Sequence, residues 1–173
     1  MEIPFAENQS CCIDISSLIK LDTEFSRQHQ TFKALWDEMD SMIMQGTLYS
    51  CEFIEEEAER YMGKHTFIKD WICKHKSRFI IPNDSDARII IAASKVINEN
   101  LATGFLNRKK WESGINEADP YLIALGMVKG CKIISNESKE KPNRIPQVAF
   151  KYGVTCIDVY KFFKERGLEM VKK

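Results

Sequence analysis

The chain has 173 residues, 44% hydrophobic and 29% charged, which suits one soluble globular domain with a sizeable core. Its 25 basic residues balance its 25 acidic ones, so net charge does not draw it to nucleic acid, and any such contact must come from a local basic patch. No run of ~18 apolar residues and no signal-peptide core occurs, so a cytoplasmic protein with no membrane contact is expected.

Residues 1–10 read as a polar N-terminal extension, 11–167 as a single domain and 168–173 as a tail. "CCIDI" (11–15) is a short strand that ends on an acid, and a short helix follows with Ser16 or Ser17 as its cap. From Gln30 to Gln45, Phe32, Leu35, Trp36, Met39, Met42 and Ile43 recur at helical spacing, and Gly46 ends that helix. "TLYSC" (47–51) is strand-like, "EFIEEEAERYM" an acidic helix and "TFIKDWICKH" a further helix. "RFIIP" is a third strand, and residues 84–101 form a helix with Ala87, Ile90, Ile91, Ile97 and Leu101 in its pattern. In "NEADPYLIALG", Asp119 reads as an N-cap with Pro120 in the first helical position, and Gly130 ends the helix. "CKIIS" and "VTCID" are the last strands, and a helix capped by Asp158 closes the chain. The segments 102–118 and 136–146 are polar loops, each basic in part.

Short apolar strands separated by helices predict an α/β domain with a mainly parallel sheet. The six cysteines include no C-x-x-C pair and read as small buried hydrophobes. His29, His65 and His75 have no metal spacing and read as surface or helix-face residues. Phosphate-loop, dinucleotide and serine-hydrolase motifs are missing from the sequence.

Function in such a sheet gathers beyond the carboxyl ends of its strands. The first strand ends at Asp14, and the second leads into Glu55, Glu56 and Glu57. Asp119 opens the helix that feeds the fourth, after which Asn136 and Glu137 follow at once. Helix capping explains each acid alone and their common location less well. Crowded carboxylates repel, and Mg²⁺ or Mn²⁺, hard cations that prefer oxygen, are the natural ions to neutralise them. Such a metal can activate water against a phosphodiester.

At these residues the chain resembles the PIN-domain nucleases, in particular a bacterial and archaeal PIN-like branch of unassigned function. "IDISSLI", "ADPYLIALG", "IISNES" and "IPQVAFKYGVTCIDV" carry the likeness, which runs from about Cys11 to Gly167. The resemblance implies a three-layer α/β/α fold with a twisted parallel sheet of about five strands in the order 3-2-1-4-5. It also implies a Mg²⁺- or Mn²⁺-dependent endoribonuclease, the toxin of a toxin–antitoxin pair. Asp14, Asp119 and Glu137 would hold metal, and Glu57, with Glu56 the alternative, would complete the catalytic set. Ser16, Ser135 and Asn136 would support it. RNA would be met by Arg108, Lys109 and Lys110 beside Trp111, and by Lys139, Lys141 and Arg144. An antitoxin partner and a homodimer are implied by relatives alone. The alternatives are a catalytically weak or inactive module that binds RNA or protein, and an α/β protein whose acids only cap helices.

Overall fold

The five expected strands are present in a computed structural model that describes residues 9–60 and 66–168. They are β1 (Cys11–Ile13), β2 (Leu48–Cys51), β3 (Ile80–Ile81), β4 (Lys132–Ile134) and β5 (Cys156–Ile157). All neighbours run parallel, in the order β3-β2-β1-β4-β5. Cys11 lies beside Leu48 on one side and Lys132 on the other, so β1 is central and fully buried. This is the α/β architecture and strand order expected from the sequence.

Nine helices are described: α1 (Ile15–Glu24), α2 (Lys33–Met44), α3 (Ile54–Arg60), α4 (Thr66–Phe79), α5 (Ala87–Asn100), α6 (Arg108–Glu112), α7 (Asp119–Lys129), α8 (Ile145–Lys151) and α9 (Val159–Glu165). Side chains alternate across each strand, and the two faces of the sheet bury separate cores. Cys11, Ile13, Leu48 and Ile134 join Leu18, Trp36, Met39, Trp71 and Phe162 on one face. Cys12, Tyr49, Cys51 and Ile133 join Ile89, Val96, Leu122, Leu125 and Val148 on the other. At Gly126 a Cβ would fall 2.3 Å from Val154 Cγ1, so only glycine lets α7 lie this close to the segment that enters β5. Gly130 ends α7 in the left-handed conformation at φ 67°, as its position after the stripe predicts.

Several boundaries differ from the sequence reading. The first strand stops at Ile13, and Ile15 already belongs to α1. Arg78 and Phe79 finish α4, which leaves two residues for β3. The segment 102–118 is not purely a polar loop: it buries Phe105 and Leu106 and contains α6. The extension 1–10 is described only at Gln9 and Ser10, and the tail only at Leu168. Tyr61, Met62 and His65 also lie outside the described residues. Cys11, Cys12, Cys51 and Cys131 are buried as expected, whereas Cys73 is exposed. Among the described residues no helix is long and apolar enough to cross a membrane.

Candidate metal centre

Asp14 leaves β1 directly into α1 and is itself the cap of that helix, its Oδ1 accepting the Ser16 N–H at 3.2 Å. The expected caps Ser16 and Ser17 lie inside the helix instead. Ser16 does other work: its hydroxyl donates to Asp14 Oδ2 and accepts the Asn136 N–H at 3.2 Å. Ser135, at the end of β4, donates to the same Oδ2 at 2.8 Å, and its hydroxyl accepts the Glu137 N–H at 3.3 Å. Two hydroxyls from adjacent strand ends thus fix one buried carboxylate, and a backbone amide of the 136–146 loop holds each hydroxyl in turn.

Asp119 does not cap α7 with its side chain. The cap position falls on Ala118, with Asp119 and Pro120 in the first turn. The Ala118 N–H is satisfied from across the fold by Glu57 Oε1, at 3.1 Å. A buried amide at a helix start needs an acceptor, and here a distant glutamate supplies it; the Tyr121 and Leu122 N–H groups that a capping Asp119 would take bond to Ala118 O instead. Glu57 is only 8% exposed, whereas Glu56 faces solvent, so the geometry selects Glu57 as the second acid. A signal for this was present in the sequence: Ile54, Glu57 and Ala58 share one helix face at i, i+3, i+4.

The three acids converge. Asp14, Glu57 and Asp119 each offer a carboxylate oxygen, and those oxygens lie within 4.8 Å of one another. Burial pushes the Asp14 carboxyl up, opposed by the hydrogen bonds from Ser16 and Ser135. Burial, with the Asp14 charge, raises Glu57 from 4.5 to about 7 against the pull of the Ala118 N–H. Asp119 is held well above the usual carboxylate range by burial and then by Asp14, Glu57 and Glu137. Repulsion of this kind is relieved by a cation among the oxygens, so the set can hold a metal ion.

Glu137 stands apart from this group of three. Its Oε2 accepts the Ile145 N–H at the start of α8 at 2.8 Å, and Arg144 lies 3.4 Å from Oε1. Burial still raises its pKa, and its charge is felt at Asp119. The metal set read from the sequence was Asp14, Asp119 and Glu137; the oxygens that lie within 4.8 Å of one another are those of Asp14, Glu57 and Asp119. Glu137 lies beside them, held by the Ile145 N–H and Arg144.

Most of the expected RNA contacts carry an acidic neighbour. Arg108 pairs with Glu112 at 2.8 Å, Lys110 with Glu117 at 3.4 Å, and Lys139 with Asp158. Lys109 and Lys141 are exposed, and Trp111 is half exposed on α6 rather than buried. His29 is exposed, and His75 is partly buried beside Trp71 and Asp40, far in sequence from the acids.

No curated protein compared with the chain matches it. A family model described as a domain of unknown function (DUF4411) matches residues 11–170, and the chain belongs to that family.

Proposed function

We propose that this protein is a metal-dependent endoribonuclease with a PIN-like fold, the toxin of a toxin–antitoxin pair. The observation that carries the reading is the meeting of Asp14, Glu57 and Asp119 within 4.8 Å at the carboxyl edge of a parallel sheet ordered 3-2-1-4-5. Oxygen-only donors with raised pKa values suit Mg²⁺ or Mn²⁺. Bound there, such an ion supplies a water of lowered pKa and a positive charge beside the phosphoryl oxygens.

The chain's own groups then have distinct tasks. Asp14, fixed by the Ser16 and Ser135 hydroxyls, offers a carboxylate that does not have to reorganise. Asp119, free of capping duty, adds a second oxygen ligand. Glu57 uses Oε1 on the Ala118 N–H, and its other oxygen is left to take the proton of the attacking water. A cation among the oxygens favours the ionised form of Glu57, which a proton acceptor needs. Lys109, Lys141 and Trp111 are exposed for phosphates and a stacked base.

A second reading, an RNA- or protein-binding module with little or no turnover, draws on the engagement of Glu137 by Arg144 and the Ile145 N–H. Cleavage separates the two. Wild type and Asp119→Asn are incubated with structured and single-stranded RNAs, with Mg²⁺, with Mn²⁺ and with chelator. The nuclease reading expects metal-dependent products with 5′-phosphate and 3′-hydroxyl ends from wild type alone. Wild-type protein that binds metal and RNA yet never cuts refutes it in favour of the module.

A further inference from the structure

The segment 107–117 leaves the core at Leu106 and rejoins it at Ala118, both buried, yet no residue of α6 between them is buried. A five-residue helix does not hold together in water by itself, so its order has to come from contacts at its base. Glu117 supplies two of them. Its Oε2 accepts the Asn107 N–H at 2.8 Å, where the segment begins, and its Oε1 lies 3.4 Å from Lys110 Nζ in the middle of α6. Asn107 in turn caps α6, its Oδ1 accepting the Lys110 N–H at 3.2 Å. One carboxylate thus closes the segment on itself.

The same carboxylate joins the segment to the acid cluster. Glu117, Ala118 and Asp119 are consecutive, and they face α6, Glu57 and the cluster in turn. The charge of Lys110 accordingly reaches Glu57, and that of Glu117 reaches Asp119. Glu117 is not among the three converging oxygens. Its side chain is 15% exposed and that of Lys110 37%. Covering an ion pair costs desolvation that offsets its attraction, so the pair adds little stability and chiefly fixes a geometry. That geometry presents a ligand surface. Trp111, half exposed, walls a cleft of about 300 Å³ with Leu101, Leu106 and Arg108, and the next residue along, Lys109, is exposed. An indole beside cations receives an unstacked base and its phosphate, which a duplex does not offer.

We propose that Glu117 is a positioning residue: it docks α6 against the metal centre, so that an unpaired base held at Trp111 sets the RNA strand across the acids. The inference rests on the nuclease reading and gives it a substrate class, RNA with an unpaired base near the cut. Glu117 touches neither metal nor phosphate; it acts through Asn107 and Lys110.

Glu117→Ala removes both contacts, and Glu117→Gln keeps an oxygen for the Asn107 N–H. Glu117→Ala is expected to lower kcat/KM on single-stranded RNA about 10- to 100-fold, the scale of a misplaced substrate. Its melting temperature and Mn²⁺ affinity should match wild type, because α6 buries nothing. Glu117→Gln should recover much of the loss, and Glu117→Ala added to Trp111→Ala should cost little more, as for two residues acting as one unit. Binding is read in chelator, without turnover, from iodide quenching of fluorescence. Trp36 and Trp71 are buried, so the quenched signal is that of Trp111. A single-stranded oligoribonucleotide should shield Trp111 in wild type, with affinity about tenfold weaker in Glu117→Ala, the worth of roughly one stacked base. Shielding that Glu117→Ala weakens, in a protein that never cuts, refutes the nuclease and leaves the docking role standing. A wild type whose Trp111 no RNA shields, or a Glu117→Ala protein that binds and cuts like wild type, overturns the proposal. So does duplex cut as well as single strand, or a Glu117→Ala protein that loses Mn²⁺ binding, since the carboxylate would then serve the metal directly.

Discussion

Glu57→Gln removes one negative charge from the acid cluster while leaving an amide oxygen to accept the Ala118 N–H, and without metal it should stabilise the fold at alkaline pH. In the native protein burial raises Glu57 from 4.5 to about 7, so the folded state holds this proton more tightly than the unfolded state does. Its contribution to stability is fully present below 4.5, falls as pH rises, and is lost above about 7. At roughly 1.4 kcal/mol per pKa unit, the cost of ionising Glu57 in place is about 3 kcal/mol. The glutamine does not ionise. In chelator, wild type should therefore lose up to about 3 kcal/mol relative to Glu57→Gln between acidic pH and pH ~8, or roughly 6–12 °C in melting temperature for a chain of this size. Mn²⁺ at about 100 times its dissociation constant should return some 2.7 kcal/mol to wild type and much less to the variant. Thermal unfolding at a series of pH values, with and without Mn²⁺, reads both effects. A variant less stable than wild type at every pH, or one with the same pH profile, would refute the claim that Glu57 is a strained member of the cluster.

Ser135→Ala removes the hydroxyl that binds Asp14 Oδ2 and accepts the Glu137 N–H. It should cost about 1–3 kcal/mol in urea unfolding and weaken Mn²⁺ binding; unchanged affinity would mean Asp14 does not need this support. Gly126→Ala drives a Cβ to 2.3 Å from Val154 Cγ1 and should cost about 1–3 kcal/mol, with Val154→Ala recovering most of it in the double variant. A Gly126→Ala protein as stable as wild type would contradict the close approach of α7 to β5. Replacing both Lys109 and Lys141 with alanine should flatten the dependence of single-stranded RNA affinity on salt, in filter-binding assays, by about 1.4 in log–log slope; an unchanged slope would remove these lysines from the interface.

The sheet was legible because each strand is a short apolar run bounded by turn residues, and its order followed from the family likeness of "ADPYLIALG" and the segments around it. Helix stripes such as Leu35, Trp36, Met39, Met42 and Ile43 were equally plain. What escaped was which oxygen serves which hydrogen. Local rules assign an Asp before Pro to capping, yet the cap falls one residue earlier, on Ala118, whose N–H bonds to Glu57, 61 positions earlier in the chain, a pairing that no local pattern encodes. The same holds for Asp14, which both caps α1 and joins the cluster. Glu137 was placed among the ligands by its position after β4, and its bond to the Ile145 N–H at the entry into α8 was not legible in the sequence. The short helix α6 that carries Trp111 was read as loop, since five residues are too few to show a periodicity.

The central claim is that Asp14, Glu57 and Asp119 form one cation site, and calorimetric titration with Mn²⁺ near pH 7, repeated in buffers of different ionisation enthalpy, tests it most directly. The account predicts saturable binding to wild type with release of protons, because raised carboxyls such as Glu57 must give them up to bind. It predicts loss of that binding in Asp119→Asn while the melting temperature in chelator stays level or rises. Binding of equal strength in wild type and Asp119→Asn, or no saturable binding to wild type, would contradict it.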